Sequence, residues 1–446
     1  MRWILTVLLT SCCFSSFVDR ATAVNDVPTT SSPKPETKIP VSPISIDSRH
    51  GPAEIGPLQN RLKVFQVAVN ATIDPGTGYD NPASFWDGKL LRPVILAPQP
   101  NGGAKIGWTD TEGTIHITPI DNQARRCGVD MLIEKGSLRD LVAHDDGSAV
   151  LVLQEGSMYL IRLKNQETLF QKRLADNWCR DIHWGNVAWN GHVYGTYFAV
   201  HRGGHEGDAV RFVSTDGEIL EGGWAWGVSH SIDMRLSTAG EQFMPLALSD
   251  AYPGTGFYFN HTAKRVSYTW GDFSGGTGGR IGGLVALNDK MFMAFSSKQG
   301  GRKHWTAALA DFSQIAPHRQ TVHKYLQDAD ADQLNVKIAR YGSDRILVSW
   351  LESESWERKF QLYNSEADPI GATEVLPVRA SPRADFKQMP HGGITWAHGW
   401  CEGGKTLTII RIDTDVEKRF SKKERVVQHT NFLNKPFDLK SKAMLH

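Results

Sequence analysis

The chain has 446 residues, with 49 lysines and arginines against 48 aspartates and glutamates. A formal net charge of +1 argues against a protein that packages nucleic acid, for which a clearly basic surface is expected. The content of 40% hydrophobic and 22% charged residues is typical of a globular protein and excludes a disordered or fibrous one. The 42 glycines, 14 tryptophans and 19 phenylalanines favour a β-rich fold with many turns.

The N-terminus has the pattern of a secretory signal. Arg2 precedes an apolar run, residues 4–18, which is followed by an A-x-A sequence at residues 21–23. These features predict a signal peptide over residues 1–23 and hence a secreted, periplasmic or extracellular protein. The run is shorter than the roughly 20 residues that a membrane-spanning helix needs, so no transmembrane segment is expected. The alternative is a lipoprotein processing box that ends at Cys12.

Composition divides the rest of the chain into three parts. Residues 24–59 are rich in Pro, Ser and Thr, which predicts an extended, flexible linker. The strand patterns fall within residues 60–416, and residues 417–446 form a polar, basic tail. Three cysteines remain after removal of the signal peptide, so at most one disulfide can form among them and one thiol is left over. These cysteines are Cys127, Cys179 and Cys401.

From about residue 92 one pattern recurs: an apolar strand, a tight turn with Gly, Asn or Asp, a second apolar strand and a longer polar loop. The second strands read AKIGWT, AVLVLQ, VYGTYFAV, FMPLALS, MFMAFSS, RILVSWL and TLTIIRI. Equivalent residues in them are spaced by 44, 44, 50, 47, 55 and 61 residues. The residues counted are Ile106, Val150, Tyr194, Met244, Met291, Ile346 and Leu407. A strand-only repeat near 50 residues is typical of a β-propeller, with one four-stranded blade per repeat.

The sequence therefore resembles the β-propeller superfamily, as an architecture and over about residues 60–415. We expect an all-β fold, a β-propeller of seven blades with four antiparallel strands each; a two-sheet structure or a ring of six or eight blades are the alternatives. The last repeat looks incomplete, because residues 380–392 resemble an insertion and the chain turns polar after Ile412. A strand over residues 64–69 is available to pair with the last blade and close the ring. The sequence has no WD dipeptides at the predicted blade ends, no kelch double-glycine pattern and no Asp-box, so no subfamily's residues can be transferred.

The order of strands decides which loops share an end of the ring. If strands A to D run from the axis outward, the loops between strands B and C open at the same end as the connections from D to the next A. These loops are long and carry many His, Arg, Trp and Asp residues, whereas the A–B turns are short. Since functional residues on a rigid scaffold lie mostly in loops, we predict the functional face at the B–C and D–A end.

Blades three to five give this face its most varied side chains. Proton abstraction beside a carboxylate needs a cation to stabilise the developing charge and a base such as His or Tyr. In that role Arg280 or Arg302 would neutralise the carboxylate, His205 or His230 would be the base, and Tyr252 would donate a proton to the leaving oxygen. Aromatic and imidazole groups beside them suit contacts with sugars, although histidines in such loops also commonly just bond backbone carbonyls. The predicted substrate-binding residues are Trp178, His183, Trp226, His304 and Trp305.

A divalent metal is a second possibility at this face. His201, His205, Glu206 and Asp208 place two imidazoles and two carboxylates within eight residues, a set that zinc or another divalent ion accepts. Their loop is Gly-rich, so spacing alone does not aim them at one point. Residues 328–332 alternate Asp with Ala, as calcium loops do, but lack the Gly and Glu of an EF-hand, which favours a solvated acidic turn.

We interpret the sequence as a secreted propeller that recognises carbohydrate, in particular an acidic polysaccharide, through this face, with no cofactor required. One alternative is catalytic: a polysaccharide lyase that acts by β-elimination at a uronic acid, or a metal-assisted glycan-active enzyme. The other is a non-catalytic scaffold whose partner is another secreted protein. This functional interpretation depends largely on the fold, which hosts many unrelated activities.

Overall fold

The computed structural model describes residues 57–74, 94–175, 185–202, 205–229, 231–249, 256–259, 264–265, 280–298, 302–313, 323–326, 330–381, 385–399 and 404–414. All of these residues belong to one compact unit, residues 54–446. Their only helix is a single 3₁₀ turn, Leu58–Arg61, and none of the described helical structure is long or apolar enough to cross a membrane. The predicted signal peptide, Cys12 and the basic tail lie outside the described residues.

The apolar segments form strands that are mostly buried along their whole length, as expected where both faces of a sheet pack against neighbouring blades. The first strand, β1, is Leu62–Ala68. Blade one contains β2 (Ile95–Pro98), β3 (Ala104–Thr109), β4 (Ile115–Ile120) and β5 (Met131–Ile133). Blade two contains β6 (Ser137–His144), β7 (Gly147–Gln154), β8 (Ser157–Lys164) and β9 (Glu167–Ala175). Blade three contains β10 (Gly185–Trp189), β11 (Tyr194–Arg202), β12 (His205–Val213) and β13 (Ile219–Ser229).

The remaining blades have the same antiparallel order. Blade four contains β14 (Ser231–Ala239), β15 (Gln242–Ser249), β16 (Gly256–Phe259) and β17 (Lys264–Arg265). Blade five contains β18 (Arg280–Leu287), β19 (Lys290–Ser297), β20 (Thr306–Ser313) and β21 (His323–Tyr325). Blade six contains β22 (Gln333–Tyr341), β23 (Arg345–Glu352), β24 (Arg358–Tyr363) and β25 (Pro369–Leu376). Blade seven contains β26 (Lys387–Gln388), β27 (Ile394–Gly399), β28 (Thr406–Ile412) and β1.

The blades close into a ring, which confirms the predicted seven-bladed propeller. Each inner strand contacts the inner strand of the next blade, and β26 contacts β2, so the series returns to its start. Seven apolar clusters lie one between each pair of neighbouring blades, and burial of this apolar surface is the main force that holds the blades together. For example, Trp396 of blade seven packs against Phe360 of blade six.

Tight turns form where the sequence predicts inner hairpins. Asn288 and Asp289 join β18 to β19, and Asn288 has φ 56°, in the left-handed region that Asn tolerates. Gly147 begins β7 after the turn at Asp145 and Asp146, with φ 155°. A Cβ at Gly147 would lie 2.3 Å from the Leu163 carbonyl oxygen, so only glycine fits there.

Blade seven corrects one sequence prediction. TLTIIRI is the third strand of this blade, β28, and not the second; the second is β27, whose first residue Ile394 follows Ile346 by 394 − 346 = 48 residues. The apparent insertion at residues 380–392 contains the inner strand β26, which is only two residues long and polar, so the search for apolar strands missed it. The expected closure by the N-terminal strand is confirmed: β1 pairs along its length with β28, from Leu62 with Ile412 onwards.

The N-terminal boundary also differs slightly from the prediction. The last residues of the predicted linker already belong to the fold, since Leu58 is buried in the layer between blades six and seven. The backbone N–H groups of Leu58 and Gln59 donate to the two carboxylate oxygens of Glu374 at 2.8 and 3.2 Å. This carboxylate therefore fixes the point at which the chain enters the ring.

Candidate functional site

A charged cavity lies at the axis, toward the end where the inner strands begin. About 350 Å³ of empty space lies within it, including space open to solvent, but its enclosed part has room for only about one water molecule. Its lining comes from the first residues of inner strands β2, β6 and β10 and from the segment that enters β26. We call this site the axial cavity, and its lining residues are Ile95, Arg139, Asp140, Gly185, Asn186, Asp385 and Lys387.

Two aspartates near the axis connect neighbouring blades. Asp140 on β6 accepts the N–H of Val187 on β10 at 2.8 Å, and Asp233 on β14 accepts the N–H of Ile281 on β18 at 2.7 Å. Both carboxylates follow an irregularity in the register of their strand, which places them beside the next blade. Arg235 strengthens the second link, because it donates to Asp233 at 2.6 Å and to the Ile281 carbonyl at 2.8 Å.

Charges from several blades meet across the axis. The Arg235 Nε atom lies 3.2 Å from a carboxylate oxygen of Asp385. Burial acts to raise the pKa of Asp385, but Arg235, Lys387 and Lys337 outweigh it and lower that pKa. Lys337 on β22 is fully buried; burial lowers its pKa to about 7, against the attraction of Asp385 and with repulsion from other cations. The axis is therefore an electrostatically coupled region rather than an apolar plug.

A second group of functional side chains lies at the junction of blades five and six. The Arg302 guanidinium carbon is 3.2 Å from the centre of the Tyr325 ring, and the Lys298 ammonium is 5.4 Å from the centre of the Trp305 ring. His304 Nδ1 lies 3.5 Å from an Asp332 carboxylate oxygen, and the backbone N–H of Trp305 donates to the same oxygen at 2.9 Å. We call this group the blade-five patch: Lys298, Arg302, His304, Trp305, Tyr325 and Asp332.

The blade-five patch joins a B–C loop to a D–A connection, as the strand order predicts. The loop between β19 and β20 supplies Arg302, His304 and Trp305, and Asp332 immediately precedes β22. The Trp305 carbonyl accepts the N–H of Gln333 at 2.7 Å. The structure thus brings three predicted site residues together: Arg302, His304 and Trp305.

Two tryptophans on this end of the ring have an unusual backbone conformation. Trp356, in the B–C turn of blade six, has φ 55° and is 57% exposed. Trp226, near the end of β13, has φ 64°, and its ring covers the backbone of Gly207. A bulky residue at positive φ is an outlier, and such outliers cluster at functional sites. The turn that carries Trp356 is bonded to the blade-five patch, because the backbone N–H of Ser353 in this turn donates to the Asp332 carbonyl at 2.9 Å.

The four predicted metal ligands lie on a hairpin rather than in a long loop. β11 ends at Arg202 and β12 begins at His205, and the register pairs His201 with Glu206 and Arg202 with His205. Consecutive pairs of a ladder occupy opposite faces of the sheet, so the four positions do not share one face. Asp208 is buried and accepts the Tyr197 hydroxyl at 2.6 Å.

Metal binding itself remains a prediction. Among the residues that the structure describes, no group of three or more His, Cys, Asp or Glu side chains is arranged to hold a metal ion. Of the other predicted site residues, Arg280 is the first residue of β18. His230, Tyr252, Trp178 and His183 lie outside the described residues. Cys127 is exposed and carries a free thiol, and Cys179 and Cys401 also lie outside the described residues.

Sequence reasoning missed the charges on the axis. Asp140, Asp233, Arg235 and Lys337 alternate with apolar residues along the inner strands, a pattern that usually indicates one solvated face. A usable signal exists, because charged residues recur in the first half of the inner strands of blades two, four and six. In a propeller, the inner strand faces the axis, so such a recurrence predicts charge there.

Seven four-stranded blades in a closed ring define the chain as a β-propeller. No family model and no curated protein matches its sequence.

Solved structures do match. The WD40 domain of coronin from Toxoplasma gondii is 10% identical, covering 80% of this chain and 88% of that chain with a TM-score of 0.49. Hydrazine synthase from Kuenenia stuttgartiensis is 11% identical, covering 73% and 97% with a TM-score of 0.46. The propeller domain of Cps50 (Swd1) from Myceliophteria thermophila is 11% identical, covering 71% and 96% with a TM-score of 0.44. Similarity this distant carries no argument about function.

Proposed function

We propose that this protein binds an acidic polysaccharide through the B–C and D–A end of the ring. The observation that carries the proposal is the blade-five patch, together with the exposed Trp356 on a turn that is hydrogen-bonded to Asp332. Aromatic rings offer flat apolar faces on which sugar rings stack, and Lys298 and Arg302 offer positive charge for carboxylates. Trp356 does not serve to fill the core, because 57% of it is exposed.

We propose recognition without turnover, with Arg302 as the group that binds a carboxylate. Of the residues assigned to proton abstraction, Arg302 is the one whose side chain the structure describes, and it stacks on Tyr325. An arginine can bind a carboxylate through its planar edge while its face rests on an aromatic ring. The lyase and the protein scaffold are therefore outcomes that the experiment must separate from glycan binding.

The experiment measures binding of the full chain to polygalacturonate, alginate and neutral dextran by calorimetry. We expect binding to the two acidic polymers and none to dextran. Trp356→Ala and Arg302→Gln should each weaken binding by about tenfold, since each removes a direct contact. Trp356→Ala should leave the fold intact, because the side chain is exposed.

A matched control is Arg125→Gln. Arg125 lies between β4 and β5, at the opposite end of the ring, and its side chain is 73% exposed. The control removes the same charge and should bind like the wild-type chain. Absence of binding to every acidic polymer, with retention of a partner protein, would establish the scaffold instead. Growth of ultraviolet absorbance from an unsaturated sugar would establish the lyase.

A further inference from the structure

We propose that the axial cavity is a separate binding site for a small carboxylate or similar oxyanion, with Lys387 as its principal cation. The residues of this site are distinct from the blade-five patch, so the inference does not depend on polysaccharide binding. It follows from how the charges of the cavity are paired, which the next steps take in turn.

The carboxylates of the axis are already committed to protein partners. The two oxygens of Asp140 accept the N–H groups of Leu141 and Val187, both at 2.8 Å. Asp385 lies 3.2 Å from Arg235. Because the Asp140 oxygens accept hydrogen bonds and the charge of Asp385 is paired with Arg235, the cavity has little capacity left to attract a cation.

Lys387 differs from these groups. It lines the cavity, and its positive charge acts to lower the pKa of both Asp140 and Asp385, although burial raises the pKa of Asp140 overall. Even so, no described residue forms a hydrogen bond or an ion pair with its ammonium group. A half-buried ammonium gains most from an anion that replaces the water it has lost.

The wall beside Lys387 supplies further polar groups. Asn186 is 9% exposed, and its side-chain oxygen has no hydrogen-bond partner among the residues that the structure describes. Since the oxygen and nitrogen of an Asn amide can be exchanged by a flip, this side chain can present its N–H₂ group to an anion. The guanidinium of Arg139 also lines the cavity, whereas Ile95 supplies the apolar part of the wall.

The test measures the thermal midpoint Tm of the full chain in sodium acetate, sodium glucuronate and sodium phosphate, each against sodium chloride of equal ionic strength. Binding to the folded state raises Tm in proportion to the logarithm of ligand concentration above Kd. We expect a rise of about 3 °C over chloride for acetate and glucuronate, which increases with the logarithm of their concentration. Equal responses to the two would show that the carboxylate alone is recognised, and a tighter response to glucuronate that its sugar also makes contact.

Variants of Lys387 make the test specific. Lys387→Gln should abolish the response, Lys387→Arg should restore most of it, and Arg125→Gln should respond like the wild-type chain. Calorimetric titration of the same variants with glucuronate gives a reading that does not depend on their starting stability. A Tm that rises no more in acetate than in chloride, or a Lys387→Gln chain that keeps the full response, would overturn the proposal.

Discussion

Ion pairs at the axis and at the rim of the ring have nearly the same length but opposite surroundings. Arg235 and Asp233 are 2.6 Å apart, and their side chains are 3% and 1% exposed. Lys324 and Asp368 are 2.8 Å apart on the outer strands, and their side chains are 45% and 59% exposed. Water screens the outer pair almost completely, whereas the axial pair has exchanged its hydration for contacts with its own protein. The distance between two charges therefore says little about how much an ion pair contributes to the free energy of unfolding.

The largest effect should come from breaking the axial pair. Asp233→Ala leaves Arg235 charged and buried and removes the acceptor for the Ile281 N–H, so it should lower the free energy of unfolding by about 3–5 kcal/mol. Urea unfolding followed by tryptophan fluorescence measures the loss. A loss no larger than that of an outer-pair variant would contradict the comparison.

A double variant sharpens the same point. Asp233→Ala combined with Arg235→Met removes both charges, so it should lose less stability than the sum of the single variants. The Ile281 peptide remains without its partners in this chain, so recovery should be incomplete. Simple additivity of the two losses would show that the pair is not coupled.

An intermediate effect should appear as a dependence of stability on pH. The pKa of Lys337 falls from 10.5 in the unfolded chain to about 7 in the folded chain, chiefly because of burial. Between these values the unfolded chain binds more protons, so stability due to this group rises with pH; below pH 7 it is constant and at its lowest. From pH 7 to pH 9 the wild-type chain should gain about 2 kcal/mol over Lys337→Met. Parallel pH profiles of the two chains would refute this assignment.

The smallest effect should come from the rim. Asp368→Ala should change the unfolding midpoint by no more than the error of the measurement, because exposed pairs contribute little. Added salt should reduce even that change. A clear loss of stability would mean that the outer strands are coupled more tightly to the ring than their exposure suggests.

The sequence allowed the number of blades to be predicted, because six of the seven second strands are long and apolar. It misplaced the second strand of blade seven, since Lys387 and Gln388 form an inner strand too short and too polar to be recognised. The axial cavity was missed for the same reason. Charged residues in a strand normally indicate a face exposed to solvent, and only closure of the ring turns the charged faces of the inner strands toward one another.

The end of the ring that carries the candidate site was predictable to a lesser degree. Strand order alone indicated that the loop before β20 and the connection before β22 open together, and the contact between Trp305 and Asp332 shows it. The exposure and positive φ of Trp356 were not predictable, because both depend on how its turn packs beside Asp332. The order of strands thus predicted at which end of the ring the candidate site lies, but not how its side chains are arranged.

The pairing of β1 with β28 joins the first and the last strand of the propeller, so the ring is closed by hydrogen bonds between them. In a ring closed in this way, lengthening a connection between strands costs only about 0.6 kcal/mol of closure entropy for each doubling of its length. The long connections at the B–C and D–A end can therefore change in evolution without weakening the pairing of β1 with β28. Loss of β1 would be another matter: it would expose β28 as an open sheet edge, which invites pairing with another molecule.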